Sequence, residues 1–177
     1  MPQSAPQVRT GIHGQNDQLL DNWPRYREKW VINGTLQGVQ VNTTLRVNHP
    51  ITPEAFVQLL AKTTLGARRP TENLSTIQGM LDNAGLLVTA WQGEELVGVA
   101  RSVTDFCYCC YLSDLAVAEA VQGQGIGKAL IRETFLQLQP GCKLILLAAP
   151  QAVDYYPRLG FGQHPSAWVM NSLDELS

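Results

Sequence analysis

The chain has 177 residues, 13 of them basic and 15 acidic, for a formal charge of −2, and 45% are hydrophobic. That length holds one domain with a substantial core, and the near-neutral balance argues against a broad polyanion-binding surface, so no nucleic-acid partner is expected. No apolar run approaches the roughly 18 residues that span a bilayer, and the Met1–Gln7 start has no apolar signal core. A cytoplasmic protein without a membrane partner is the expectation.

Residues 1–42 differ in texture from the rest, being rich in Gln, Asn and Gly, with Trp23 and Trp30 around a short charged stretch, Arg25–Lys29. They read as an N-terminal extension, docked by its tryptophans or partly disordered, with a strand near Leu36–Val41. A regular domain is expected over 43–177.

Thr43–Val47 reads as the first strand of that domain. Thr52-Pro53 is a helix start, and Phe56, Leu59 and Leu60 give the helix its apolar stripe through about Lys62. Arg68-Arg69-Pro70 marks a loop, and Leu74, Ile77 and Leu81 predict a second helix over about Thr71–Asp82. Gly85–Trp91 and Glu95–Val103 form a hairpin turned at Gly93, and Tyr108–Val117 continues the meander.

A helix over about Ile126–Leu138 follows, with Ile126, Leu130, Ile131, Phe135 and Leu138 on its apolar side; Pro140-Gly141 ends it. Leu144–Ala148 is nearly all apolar, the pattern of an interior strand covered on both faces. A short helix near Gln151–Leu159 leads to final strands, one of them including Trp168–Met170. The fold class is therefore α/β of the α+β kind: a mixed, mostly antiparallel sheet flanked by helices, with one βαβ crossover.

Cys107, Cys109, Cys110 and Cys142 have no recognised zinc spacing, so no metal site is expected and the thiols read as buried and reduced. His13, His49 and His164 read as surface loop residues.

The most informative stretch is Leu115-Ala116-Val117 followed by Gln122-Gly123-Gln124-Gly125-Ile126-Gly127-Lys128. Three alternate glycines between a strand and a helix expose consecutive backbone N–H groups and let an anion approach without a Cβ in the way. A tight packed loop is the plainer reading. A phosphate-binding P-loop fails, because Gln122 and Ala129 stand where Gly and Ser or Thr are required. A dinucleotide fingerprint fails too, because Lys128 or Leu130 replaces its third glycine.

The Leu115–Gly127 segment resembles the signature of the Gcn5-related N-acetyltransferase superfamily. Ala152–Phe161, with Tyr155-Tyr156 before Leu159-Gly160-Phe161, resembles that family's later helix motif. The resemblance covers about 43–177. It implies an acyl-CoA N-acyltransferase fold with a strand splay and acetyl-CoA as cosubstrate. The pyrophosphate would lie on the amides of Gln122, Gly123, Gln124, Gly125, Ile126 and Gly127, and the pantetheine along Leu115, Ala116 and Val117. Lys128 would either add charge near the phosphates or stand in solvent.

The implied reaction is attack of a primary amine, on a small molecule not identified by the motif, at the thioester carbonyl. Tyr156 matches the family's catalytic tyrosine and is the general-acid candidate, against a packing role; Pro157 beside it fits a helix only in the first turn. Tyr155 would point about 100° away, as core or substrate wall. Asp114 reads as a base, as an ammonium- or water-positioning group, or as a structural residue, with Tyr111 and Ser113 on the opposite strand face. Arg68 and Arg69 would favour a carboxylate-bearing acceptor if they faced the pocket, and Phe106, Tyr108 and Trp168 are candidates for its apolar wall. A non-catalytic acetyl-CoA sensor and a protein N-acetyltransferase stay open as alternatives, and so does a homodimer, since many members of that family pair.

Overall fold

The computed structural model describes the backbone of residues 28–36 and 39–176, with side chains from residue 42 onward. Six strands form one sheet in chain order: β1 (Glu28–Leu36), β2 (Val39–Val47), β3 (Leu86–Gln92), β4 (Glu95–Thr104), β5 (Cys109–Val117) and β6 (Lys143–Ile145). Every neighbouring pair is antiparallel except β5 and β6, which are parallel because helix α3 (Ile126–Leu136) crosses between them. The strand expected at Thr43–Val47 begins four residues earlier and pairs with β1, so it crosses the 42/43 boundary. The earlier part of the N-terminal extension, with Trp23, lies outside the described residues.

Two helices follow β2. In α1 (Pro53–Leu60), Thr52 accepts the Ala55 N–H through its side chain and Pro53 opens the first turn, so the helix starts where the sequence places it. Phe56, Leu59 and Leu60 are buried. Helix α2 (Leu74–Asp82) is capped by Asn73, whose side chain accepts the Thr76 N–H. It therefore begins three residues later than the apolar spacing suggests, leaving Leu74 exposed.

The two faces of the sheet are covered differently. Gly98 on β4 faces α3: a Cβ there would lie 3.1 Å from Leu130 and 3.3 Å from both Ala90 Cβ and the Ala116 carbonyl. Arg101, three positions on, points the other way and donates to the Met80 carbonyl of α2. Helix α3 therefore packs on one face and the α1–α2 pair on the other. The core between them joins Leu45, Val47, Phe56, Ile77, Val88, Val99, Ile126 and Leu130.

Three expectations fail, each for a local reason. Leu144–Ala148 is not an interior strand: only Lys143–Ile145 pairs, β6 is the sheet edge, and Ile145 is 47% exposed. No strand forms over Trp168–Met170, and Trp168 is 91% exposed, so nothing covers the outer side of β6 among the described residues. On α3, Phe135 faces outward, while Glu133 and Thr134 are buried. Their polarity is absorbed locally, Gln137 Nε2 donating to Glu133 Oε1 at 2.7 Å and Thr134 Oγ1 to the Leu130 carbonyl at 2.8 Å.

The Gly98 contact gives a direct check on this packing. Gly98→Val should destabilise the fold by about 1–3 kcal/mol through overpacking against Leu130 and Ala90. Chemical denaturation with unchanged m-value should report it, and an unchanged midpoint would contradict the placement of α3.

Candidate functional site

Strand β5 is paired unequally on its two edges. On one side β4 follows it out to Val117; on the other β6 pairs only with Cys109–Tyr111. Beyond Tyr111 the two parallel strands part, and Leu112–Val117 keep an open edge. A bulge marks the divergence: Arg101 opposes Asp114 and Ser102 opposes Leu112, so Ser113 is one residue too many for the ladder.

Below the open edge the chain makes a tight turn over Glu119–Val121 and enters the glycine segment. Gly123 and Gly125 have φ of +78° and +81°, the left-handed region that a Cβ disfavours, and a Cβ at either would meet nothing within 4 Å. Conformation, rather than crowding within the protein, is what requires glycine there. Gly125 is also the residue that caps α3, and it brings no side chain to the first helical N–H groups.

The consequence is unusual for backbone this ordered. The first helical bond of α3 is Ala129 N–H to the Gly125 carbonyl at 3.0 Å, and none of the six N–H groups of Gly123–Lys128 has a partner among the described residues. Five of these residues, Gly123 and Gly125–Lys128, border one cleft of about 490 Å³ together with the positive end of the α3 dipole. Its walls are Leu115 and Val117 from β5, Gly123 and Gly125–Lys128 from the turn and helix, and Tyr155, Tyr156 and Leu159 from the C-terminal side.

Two glutamines sit in this cradle. Gln122 Nε2 donates to the Val117 carbonyl at 3.0 Å, tying the loop to the strand end. Gln124 Oε1 is buried without a partner. A buried amide left unpaired at an anion-shaped turn is a group that a ligand could satisfy, and a 180° flip of that amide would offer a donor. Ala116, by contrast, is buried on the far face of β5, so only its backbone lies along the edge.

Helix α4 (Tyr155–Arg158) is one turn long, which places Pro157 in a first turn where its missing N–H is harmless. Tyr155 and Tyr156 both line the cleft, their rings edge to face at 5.5 Å, and Tyr156 also meets Phe161 edge to face at 5.6 Å. The rotation of about 100° between them does not remove Tyr155 from the site. Its hydroxyl lies 2.9 Å from where a Gly127 Cβ would be, over the start of α3. Burial pushes both phenols above the ordinary tyrosine range, and for Tyr156 the neighbouring Tyr155 adds to it. Both therefore stay protonated at neutral pH.

Asp114 is placed elsewhere. It is fully buried on the α2 side of the sheet, its Oδ1 accepting from Arg69 Nε and its Oδ2 from Arg101 Nε, each at 2.5 Å. A carboxylate shared by two guanidiniums and closed to solvent is a structural anion rather than a base. The bulge also corrects the expected alternation: Ser113 Oγ accepts from Arg101 at 2.8 Å, so Ser113 and Asp114 serve one guanidinium together. Arg101 was not marked by the sequence reading, although a charged residue inside an otherwise apolar strand signals a buried partner. Arg69 is committed to this cluster rather than to an acceptor carboxylate.

Among the described residues, no Asp, Glu or His contributes to the lining of the cleft. Its titratable groups are Lys128 and the two phenols. The candidate apolar wall is not assembled either, since Tyr108 and Trp168 are exposed and away from the lining. Cys110 and Cys142 are buried as expected, whereas Cys107 is exposed and Cys109 half-buried. No group of His, Cys, Asp or Glu suited to a metal ion occurs among the described residues, and no helix among them is long and apolar enough to cross a membrane.

This geometry has known counterparts. Residues 83–163 match the family model described as an acetyltransferase (GNAT) domain. Over that stretch the chain is similar to GNAT acetyltransferases. It is 38% identical over 77 residues to a chloroplastic GCN5-related N-acetyltransferase 2 of Arabidopsis thaliana, which covers 42% of this chain and 30% of that protein. It is 39% identical over 75 residues to histone acetyltransferase TAP1 of Glycine max, covering 41% and 32% respectively. The chain thus spans just under a third of the length of these curated relatives. A GNAT-family acetyltransferase of Streptococcus pneumoniae has the same fold, with a TM-score of 0.58 at 21% identity over 73% of this chain and 99% of that one.

The cradle is testable by binding alone. Gly125→Val forces a β-branched residue to φ of +81° and should weaken acetyl-CoA binding by roughly tenfold or more in calorimetry, with the fold intact by circular dichroism. Unchanged affinity would exclude the turn as the diphosphate site.

Proposed function

We propose that this chain transfers the acetyl group of acetyl-CoA to a primary amine of a small molecule. The observation that carries the proposal is the row of six unpaired amides at Gly123–Lys128 beside the open edge of β5. A diphosphate supplies oxygen acceptors for such a row, and a pantetheine arm carries amide groups able to pair with Leu115–Val117 as an added strand. Gln124 and Ile126 belong to this cradle through their backbone N–H groups, whereas the Gln122 N–H, expected to join them, is bonded to the Glu119 carbonyl at 3.2 Å; Lys128 on the rim adds positive charge beside the phosphates.

The division of labour follows from which groups line the cleft. The amine lone pair attacks the thioester carbonyl carbon; a C–N bond forms and the C–S bond breaks. A β5 backbone N–H at the open edge polarises the carbonyl oxygen as negative charge develops on it. Tyr156, protonated because burial raises its pKa, gives its proton to the departing thiolate. Tyr155 stands beside it over the α3 N-terminus and holds the neighbouring wall. With no carboxylate or imidazole among the described lining residues, the amine reacts in its neutral form and its proton leaves to water.

Release of CoA thiol from acetyl-CoA, measured across alkyl amines, amino acids, polyamines and a lysine-containing peptide, tests this reading. Tyr156→Phe should lower kcat by about 100-fold or more while acetyl-CoA affinity stays within about twofold. Tight acetyl-CoA binding with no turnover of any amine would instead identify a sensor, and turnover confined to the peptide would identify a protein acetyltransferase.

The pH profile gives an independent check. Apparent kcat/KM should climb with pH as the amine deprotonates, toward about 10 for an alkyl amine. It should fall only above the ordinary tyrosine value of about 10, because the Tyr156 pKa is raised. A plateau reached near pH 5, the mark of a titrating carboxylate base, would contradict the assignment.

A further inference from the structure

Asp114 is excluded from the cleft, yet the cluster around it ties β5, which borders the cleft, to β4, α2 and the α1–α2 loop. Arg69 belongs to the loop between α1 and α2. Its Nε donates to Asp114 Oδ1 at 2.5 Å and its Nη2 to the Ser113 carbonyl at 2.7 Å, while Nη1 donates to the Arg68 carbonyl of its own loop at 2.9 Å. Arg101 on β4 donates to Asp114 Oδ2, to Ser113 Oγ and to the Met80 carbonyl of α2. One buried carboxylate and one bulged serine thus join the α1–α2 loop, helix α2, β4 and β5.

The point of attachment matters more than the number of bonds. Ser113 is the extra residue of the bulge, and Leu115 and Val117, the next residues to face the cleft, lie on the stretch that has lost β6 as a neighbour. A strand with one open edge has a weakly held conformation there, and the Arg69 bond to the Ser113 carbonyl supplies a restraint that the sheet does not. The loop is also held at its start, where the Lys62 carbonyl accepts from the Glu119 N–H at 3.0 Å and Lys62 Nζ donates to Glu95 at 2.6 Å, but Arg69 is the side chain that ties its middle to β5.

We infer that Arg69, acting through Asp114 and the bulged Ser113, is a positioning residue that makes the α1–α2 loop and the cofactor-binding edge of β5 move as one body. Filling the edge at Leu115–Val117 stiffens the bulge, and the bulge holds the loop. A second substrate approaching from the loop side then meets a surface ordered by the first. This inference rests on the acetyl-CoA reading of the cleft.

Hydrogen exchange by mass spectrometry on the full chain, with acetyl-CoA as the probe, tests it. In the wild type, saturating acetyl-CoA should slow exchange in residues 62–73 by roughly fivefold or more, although none of them lines the cleft. Arg69→Met should abolish that transmitted protection and speed basal exchange in the same segment, with acetyl-CoA affinity within about twofold of wild type. Arg69→Lys, which keeps the charge but not the two-pronged contact, should restore part of the protection.

Arg69 is chosen because its side chain is 21% exposed, whereas Arg101 and Asp114 are buried and their loss endangers folding. A wild-type loop indifferent to acetyl-CoA, or an Arg69→Met loop that responds as wild type does, overturns the inference. Failure of acetyl-CoA to bind at all overturns the proposed function and the coupling together. Basal exchange of the loop then still decides whether Arg69 anchors it.

Discussion

Backbone N–H groups in a folded protein are paired or wet, and the stretch that begins α3 is arranged so that six in succession are neither bonded to a described residue nor capped. Much of the local structure serves that arrangement. Gly123 and Gly125 take backbone conformations that other residues avoid, so the turn can present its amides inward. The helix that follows is fixed by Ile126 and Leu130 in the core, so its dipole is aimed and cannot relax away from the cleft. Gly98 beneath Leu130 allows that close seating.

The second constraint is electrostatic and lies on the other face of the sheet. Burying Asp114 with Arg69 and Arg101 leaves a net positive charge in a poorly solvated place, so the cluster cannot be retained for cheap stabilisation. What it supplies is geometry: two guanidinium forks, one carboxylate and a bulged serine admit few alternative arrangements. Losing either fully enclosed partner, Arg101 or Asp114, costs about 3–5 kcal/mol, enough to endanger a domain of ordinary stability. The bulge at Ser113 is therefore held by strong interactions at the place where β5 leaves β6, and the open edge follows from that separation.

The glycine segment was legible because its chemistry is carried by the backbone, and glycine identity is the one side-chain signal that reports backbone freedom directly. Hairpin β3–β4 and the start of α1 were legible for related reasons, a turn glycine at Gly93 and a Thr52-Pro53 cap. The run Leu144–Ala148 misled because an apolar strand reads the same whether or not a neighbour arrives to cover it. Here no described strand arrives, and β6 stays at the edge. Strict alternation misled at Ser113 because a one-residue bulge is invisible in a hydrophobic pattern: Cys110, Leu112, Asp114 and Ala116 stay buried in alternation, yet the Ser113 hydroxyl reaches Arg101 beside Asp114.

Asp114 shows most clearly where local reading ends. Its position before Leu115-Ala116-Val117 suits a base near a thioester, and nothing within ten residues on either side contradicts that. The deciding partners are 13 residues away on β4 and 45 residues away in the α1–α2 loop. A pair of that separation is decided by topology, which is why Arg101 drew no attention as an isolated arginine. Yet its presence amid Val97, Val99 and Ala100 already demanded an internal anion, and Asp114 is the acidic residue inside the facing strand. The charge balance of buried strands, read across the hairpin instead of along one strand, would have moved Asp114 from the chemistry to the scaffold. Under the proposed function, it leaves the phenols and the backbone as the groups to test for action on a thioester.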